Sequence, residues 1–525
     1  MPTMQADFIN EQQINTLLTE ARQADKAQAR SIIDRASQAK GLTPYECAIL
    51  LHIEDKELLE EIYRVARQIK ENIYGRRLVL FAPLYISNHC INNCVYCGYR
   101  RDNRFTRRRL TTEELQEEVI LLEELGHKRL ALEAGEDPQN CTIDYVLDSI
   151  KTIYAVKEAN GSIRRVNVNI AATTVENYRL LKEAGIGTYI LFQETYHRQT
   201  YAAMHPSGPK HDYDYHTTAM DRAMQGGIDD VGLGVLFGLY DYKYEVLAML
   251  LHALHLEESF GVGPHTLSVP RLRPAQGVNY DNFPYLVDDA AFKKIIAVLR
   301  LAVPYTGMIL STREPAEFRD ELLTVGISQI SAGSCTGVGG YQQEHQRKST
   351  GSCACASGAS GSNVKGSGNY GSSASKSLSD GSATSSINSS NGNSSSISDN
   401  GNGRDNANNE APQFQIEDHR SPDEMLRSVC LSGYIPSFCT ACYRSGRTGD
   451  RFMPLAKSGQ IQNVCQPNAI LTFKEYLMDY ASPETRAVGE KTIQTHLAEI
   501  TNIKTRRLTE ERLKLIEQGQ RDLYF

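Results

Sequence analysis

Tryptophan is absent from this 525-residue chain, and aromatic residues make up only 8% of it, but neither scarcity excludes a fold. Other absences are more informative. No apolar run is long enough to cross a bilayer, which excludes a membrane-spanning helix. Positive charge is not in surplus: a formal net charge of −7 removes the general electrostatic case for binding nucleic acid or a membrane surface. The opening residues, MPTMQADFINEQQ, show neither an apolar secretory core nor the acid-poor, Arg- and Ser-rich character of an organelle transit peptide. The 12 cysteines do not spread out as a disulfide framework. They cluster at metal-type spacings, which points to a reducing compartment, either the cytoplasm or the matrix of an anaerobic organelle.

A hydrophobic content of 41% supports a substantial core, and the length exceeds one ordinary domain. Residues 10–75 carry helical periodicity, with a Thr-Pro start signal at Thr43 and Pro44, and 1–75 are expected to form an N-terminal helical region. Apolar, β-branched-rich runs follow at 77–85, 128–134, 164–171, 188–194, 231–239, 265–272, 306–311 and 327–332. Amphipathic stretches such as TTEELQEEVILLEELG lie between most of them. Eight alternations predict an α/β fold, a (β/α)8 TIM barrel over 76–341. From 351 to 410, 39 of 60 residues are Ser, Gly or Asn. Such a stretch buries too little apolar surface to offset its ordering entropy, so 342–412 is expected to be a disordered insertion. Residues 413–525 are expected to form a mainly helical C-terminal domain.

The chemistry is concentrated in SNHCINNCVYCGYR, where Cys90, Cys94 and Cys97 follow the first strand at the mouth where barrel active sites are built. Three thiolates can hold three irons of a 4Fe-4S cluster and leave the fourth iron open. A closed zinc site that adds His89 is the rival reading. A second odd set is Cys439, Cys442 and Cys465, spaced C-x(2)-C-x(22)-C, and Cys430 nearby would complete an all-cysteine zinc site. Spacing alone leaves both readings of this second set open. The basic run RRDNRFTRRRL, residues 100–110, reads as a solvated cap that pairs with the acidic helix after it.

The spacing C-x(3)-C-x-aromatic-C, with Tyr96 before Cys97, resembles the radical S-adenosylmethionine (SAM) superfamily. The paired cysteine sets resemble its HydG-type tyrosine lyases, as do GVGPHTLSVPRLRPA (261–275), LSTRE (310–314) and EDHRSPDE (417–424). A related family, the ThiH-type lyases of thiamine synthesis, shares the barrel and the first set but lacks the second. The resemblance implies two 4Fe-4S clusters, one binding SAM and one C-terminal with an extra iron. It assigns Tyr96, Gly135, Glu136 and Glu194 to the SAM site and His265 to the extra iron. It also implies cleavage of L-tyrosine to p-cresol and dehydroglycine, and conversion of the latter to CO and cyanide. The implied partners are an electron donor of flavodoxin or ferredoxin type and other hydrogenase maturation proteins. A substrate carboxylate calls for a bidentate guanidinium. Arg313 is the expected partner with Ser331 as helper, while Arg271 and Arg273, or an ion pair of Arg313 with Glu314 or Glu317, are the competing readings.

Overall fold

The eight apolar runs become eight parallel strands in the computed structural model, which describes residues 5–349 and 412–525. They are β1 (Arg77–Ser87), β2 (Arg129–Ala134), β3 (Arg165–Asn169), β4 (Tyr189–Glu194), β5 (Val231–Val235), β6 (Thr266–Ser268), β7 (Gly307–Leu310) and β8 (Gln329–Ser331). Each strand pairs with its successor, and β1 pairs with both β2 and β8, which closes the barrel. The fifth and sixth strands stop earlier than their apolar runs, because Phe237 and Arg271 already belong to loops joined by a single bridge.

A ninth strand was not expected from the sequence. β9 (Ile435–Ser437) runs parallel to the first residues of β1, pairing Arg77 with Ile435 and Val79 with Ser437. Partners of β2 begin only at Ala82. β9 therefore occupies the edge of β1 below the level at which β2 begins, and it carries the following residues to the N-terminal end of the barrel.

The N-terminal helices form where their caps predict. Thr43 and Glu46 make a reciprocal capping box with Pro44 in the first turn, and Asp55 caps the long helix Lys56–Tyr74. That helix buries Leu58, Ile62, Val65, Ile69 and Ile73 along one face and packs on the helix Asp289–Ala302. C-terminal helices Pro422–Leu431, Gln462–Asp479, Pro483–Ala498 and Ile503–Glu517 pack on one another beside β9.

The chain divides into two units, Met1–His345 with Glu410–Phe525, and Gln346–Asn409. Residues 342–349, assigned to the insertion from composition, lie in the helix Gly340–Ser349, since Gln, Glu, Arg and Lys favour a helix. The remainder of the expected insertion, with Cys353 and Cys355, lies outside the described residues. Among the described residues no helix is long and apolar enough to cross a membrane.

The interior of the barrel departs from the usual layers of Val, Ile and Leu. Ala131, Ser268 and Ser331 line an internal cavity, and Gly232 and Gly234 sit beside the inward-facing Ile190 and Phe192. The three small side chains leave space inside the barrel, whereas the room beside Gly232 and Gly234 is taken up by Thr266, Ile190 and Phe192.

After β8, a buried ion pair fixes the chain that re-enters the barrel unit. Arg319 contacts Asp418 and donates to the Ser331 carbonyl at 2.6 Å, and Asp418 also pairs with Arg420. Removing one partner of a buried pair strands the other charge. Asp418→Ala is expected to cost about 3–5 kcal/mol, read as a lower denaturation midpoint; an unchanged midpoint would contradict this assignment.

Candidate active site and metal centre

The upper site is built on the C-terminal ends of the strands. Cys90, Cys94 and Cys97 line a cavity of about 140 Å³ with Asn92, Tyr96, Gly135, Glu136, Glu194, Lys210 and Arg313. Burial raises the pKa values of all three thiols, which are free. The loop is held from below by Arg107, whose guanidinium donates to the carbonyls of Asn88, Tyr99 and Arg100 at 2.6–2.7 Å and stacks on Phe105. One member of the basic run is thus a scaffold for the cysteines and not a solvated charge. Arg108 does pair with Glu114 of the following acidic helix.

Gly135 lies against the loop: a Cβ there would sit 2.3 Å from the His89 carbonyl oxygen. Close backbone approach accounts for the glycine. Glu136 accepts from Asn92 Nδ2 at 2.5 Å, and burial raises its pKa. Glu194 has a positive φ of 68° at a register shift between β4 and β5. Such strain in a non-glycine residue persists where the surroundings enforce it, commonly at functional sites. Its carboxylate meets Lys210 Nζ at 2.8 Å, a buried partner with no signal in the sequence. Burial opposes the lysine's charge, but Glu194 and the nearby thiols outweigh it and keep the ammonium protonated. Tyr96 turns its hydroxyl to His205 Nε2 at 2.8 Å; His205 Nδ1 faces the Tyr201 carbonyl, so the tyrosine is the donor.

A second cavity of about 90 Å³ continues down the barrel axis, sharing Glu133, Asn169, Phe192, Arg313, Gln413 and Phe414 with the first. Arg313 makes no side-chain hydrogen bond or ion pair among the described residues. The expected competitor is occupied elsewhere: Glu314 is gripped by Arg271 at 2.6–3.0 Å and also contacted by Arg273. Those two arginines are therefore engaged at the rim, and Arg313 alone is free toward the cavity. Ser331 Oγ accepts from the Thr312 backbone at 3.1 Å, next to Arg313. Burial pushes the Glu133 carboxyl up to about 8, against the pull of Arg313 and Asn169.

The second cysteine set lies at the opposite end. Cys439, Cys442 and Cys465 line a cavity of about 60 Å³ with Arg77, Arg129, Asp230, His265 and Tyr443, at the N-terminal ends of the strands. β1 reaches both sites, and its 11 residues span roughly 30 Å. His265 is held by the barrel ladder, donating to the Val231 carbonyl and accepting from the Gly307 amide, both at 2.8 Å. Its Nδ1 is 3.5 Å from Asp230 Oδ1 and has no hydrogen-bond partner. Burial lowers its pKa, leaving the neutral imidazole that ligates metals. Asp230 accepts from the Gly449 amide at 3.0 Å and keeps Oδ2 unpaired. Arg129 donates to the Cys439 carbonyl at 2.8 Å and, with Arg165, stacks on Tyr443. No sequence signal marked Asp230 or these arginines, because their proximity depends on barrel closure. Cys430 stands apart, bonded to Thr492, and does not line the cavity.

Both sites suit a cubane of three cysteine ligands: each gathers three free thiols around open space, and the lower one adds an unpaired imidazole nitrogen. Among the described residues no three His, Cys, Asp or Glu side chains converge as the ligands of a single ion would.

Comparison with known proteins agrees with this geometry. Residues 84–254 match the radical SAM superfamily model, and residues 268–435 match the Biotin and Thiamin Synthesis associated domain. The 2-iminoacetate synthase of Salmonella typhimurium is 32% identical over 314 residues, covering 60% of this chain and 81% of that protein. A crystal structure of HydG, described as a maturase of the FeFe-hydrogenase, is 58% identical over 99% of this chain and 100% of that one, with a TM-score of 0.85. The chain is a radical SAM protein of the HydG type. The FeFe-hydrogenase maturase HydG from Carboxydothermus hydrogenoformans is also similar, at 36% identity over 96% of this chain and 97% of that one, with a TM-score of 0.74. The HydG likeness therefore extends past the barrel into the C-terminal region that carries the second cysteines.

In this HydG-type chain the Cys442 thiol is pushed down, first by its hydrogen bond with Cys465 and then by Arg447. Its partner Cys465 is raised in turn. Alkylation of the metal-free chain, followed by mass spectrometry, is expected to label Cys442 before Cys94 at pH 7. The Cys442 rate should fall as the pH is lowered into the acid range. Labelling of Cys94 first would contradict the assignment.

Proposed function

We propose that the chain is a radical SAM lyase that cleaves L-tyrosine to p-cresol and dehydroglycine and converts the latter to CO and cyanide, for assembly of the FeFe-hydrogenase active site. One observation carries the reading. Two three-cysteine sets face opposite ends of one barrel, and His265 lines the cavity of the lower set.

When bound, a three-cysteine cubane with SAM supplies a 5′-deoxyadenosyl radical at the upper site. The chain's own residues do the rest. Cys90, Cys94 and Cys97 would hold the upper cluster; Gly135, Glu136 and Glu194 border the space for SAM, and Lys210 holds Glu194 in place. Arg313 presents free N–H donors to the substrate carboxylate, with Ser331 fixing the backbone beside it. The buried cavity walls exclude water from the radical. At the lower site Cys439, Cys442 and Cys465 would hold the second cluster and His265 would take the extra iron, with Asp230 beside the imidazole. Ala131, Ser268 and Ser331 leave space inside the barrel below Arg313, where a small product would pass. The reaction also needs a one-electron donor of flavodoxin or ferredoxin type.

Anaerobic reconstitution with SAM, L-tyrosine and dithionite is the test. Expected products are 5′-deoxyadenosine, p-cresol, CO and cyanide. p-Cresol without CO or cyanide would point to a 2-iminoacetate synthase, and no 5′-deoxyadenosine would point to a non-enzymatic iron–sulfur carrier. Replacing Cys439, Cys442 or Cys465 by Ala is expected to leave p-cresol formation largely intact and abolish CO. Loss of tyrosine cleavage with CO retained would refute that division of labour.

A pH effect follows from Glu133. Its carboxyl is neutral below about 8 and negative above, where it competes with the substrate carboxylate for Arg313. The KM for tyrosine should therefore rise several-fold between pH 7 and 9 in the wild-type chain. Glu133→Gln should flatten that rise to what the substrate's own ionisation causes; an identical profile would remove Glu133 from the account.

A further inference from the structure

The residues after 411 cross the upper mouth of the barrel before the C-terminal helices begin. Gly98 N donates to the Gln413 carbonyl at 3.0 Å, and Gln413 N donates to the Thr336 carbonyl at the same distance. Thr336 Oγ1 donates to the Phe414 carbonyl at 2.9 Å. Further along, Gln415 N reaches Pro274 and Glu417 N reaches Thr312, both at 2.9 Å. Residues 413–418 are thus stitched to the loops that follow β1, β6, β7 and β8. The buried pair of Asp418 with Arg319 fixes the far end.

Two side chains of this strap line both upper cavities. Gln413 Oε1 accepts from the Tyr85 hydroxyl at 2.8 Å. The Phe414 ring covers the Arg313 guanidinium, 3.3 Å from ring centre to Cζ. An aromatic face binds a guanidinium face-on and leaves the in-plane N–H donors free. Those are the donors a bidentate carboxylate uses. The near end of the strap rests on the cysteine loop itself. A Cβ at Gly98, directly after Cys97, would come 2.6 Å from the carbonyl oxygens of both Pro412 and Gln413.

We propose that Phe414 is a positioning residue for substrate binding: stacked on Arg313, it presents the guanidinium edge to the carboxylate of an aromatic amino acid, and the strap seated on Gly98 closes the cavity over that substrate. This rests on the reading of Arg313 as the carboxylate partner. It adds Phe414, Gln413 and Tyr85, all outside the cysteine motifs, and it links closure of the substrate cavity to the loop that would carry the upper cluster. Hydrogen bonding of Tyr85 to Gln413 keeps the ring in register over Arg313.

The test uses the full chain with both clusters reconstituted and iron content measured first. Phe414→Leu keeps apolar volume and removes the flat ring; Phe414→Tyr keeps the ring. Phe414→Leu is expected to raise the tyrosine KM by about tenfold, a change within reach of one buried cation–π contact. Tyrosine-independent formation of 5′-deoxyadenosine should persist, so the ratio of 5′-deoxyadenosine to p-cresol rises. Phe414→Tyr should restore both values, and Tyr85→Phe should shift them the same way by a smaller factor. A Phe414→Leu chain with unchanged KM and unchanged ratio would overturn the proposal, as would equal loss in the Leu and Tyr variants. Failure of the wild-type chain to form p-cresol would instead overturn the substrate reading, and the strap's role with it.

Discussion

Parallel pairing of eight strands makes the two ends of the barrel chemically different, and both sites depend on that polarity. Every strand delivers its C-terminal residues to one mouth and its N-terminal residues to the other. β1 is central to this arrangement because it closes the barrel against β2 and β8 and also accepts β9 on its lower residues. The first cysteine loop leaves its upper end, and the second set is brought to its lower end by β9. The two thiol triads thus lie at opposite ends of one barrel.

The surroundings of the two triads differ in kind. Around the upper set lie Glu136 and Glu194, balanced by Lys210 and Arg313, with the carboxyl of Glu133 beside them. That mixture suits a zwitterionic ligand, which needs an acceptor for an amine and a donor for a carboxylate. Arg77 and Arg129 face the lower set with a single carboxylate, Asp230. Cationic surroundings favour thiolate and suit an anionic cluster. The contrast arises from which ends of the strands carry the charges, since Arg77, Arg129 and Asp230 sit at or before strand starts while Glu133 and Glu194 sit at strand ends.

Much of the architecture was legible because it rests on local patterns. Continuous apolar, β-branched-rich runs marked all eight barrel strands, and Thr43 with Pro44 marked a helix start that forms as a capping box. The cysteine spacings marked two thiol triads, the first because its members share one loop, while Cys465 joins Cys439 and Cys442 from a separate helix. What stayed hidden depends on distance in sequence. Asp230 meets His265 only through adjacent strand starts, and Lys210 reaches Glu194 from a loop. Phe414 crosses to Arg313 from a short segment with no periodicity. β9, three residues long, carries too little pattern to be seen. Arg107 was read as solvated from the charge run around it, although its guanidinium is spent on carbonyls of the cysteine loop.

The central claim is that each end of the barrel carries its own three-cysteine iron–sulfur cluster. Iron and sulfide quantification of the anaerobically reconstituted chain tests it most directly, run beside variants in which either triad is replaced by alanine. About eight to nine irons per chain, with roughly half retained when either triad is removed, is the expected result. About four irons accompanied by stoichiometric zinc, or complete loss of iron on removing only one triad, would contradict it.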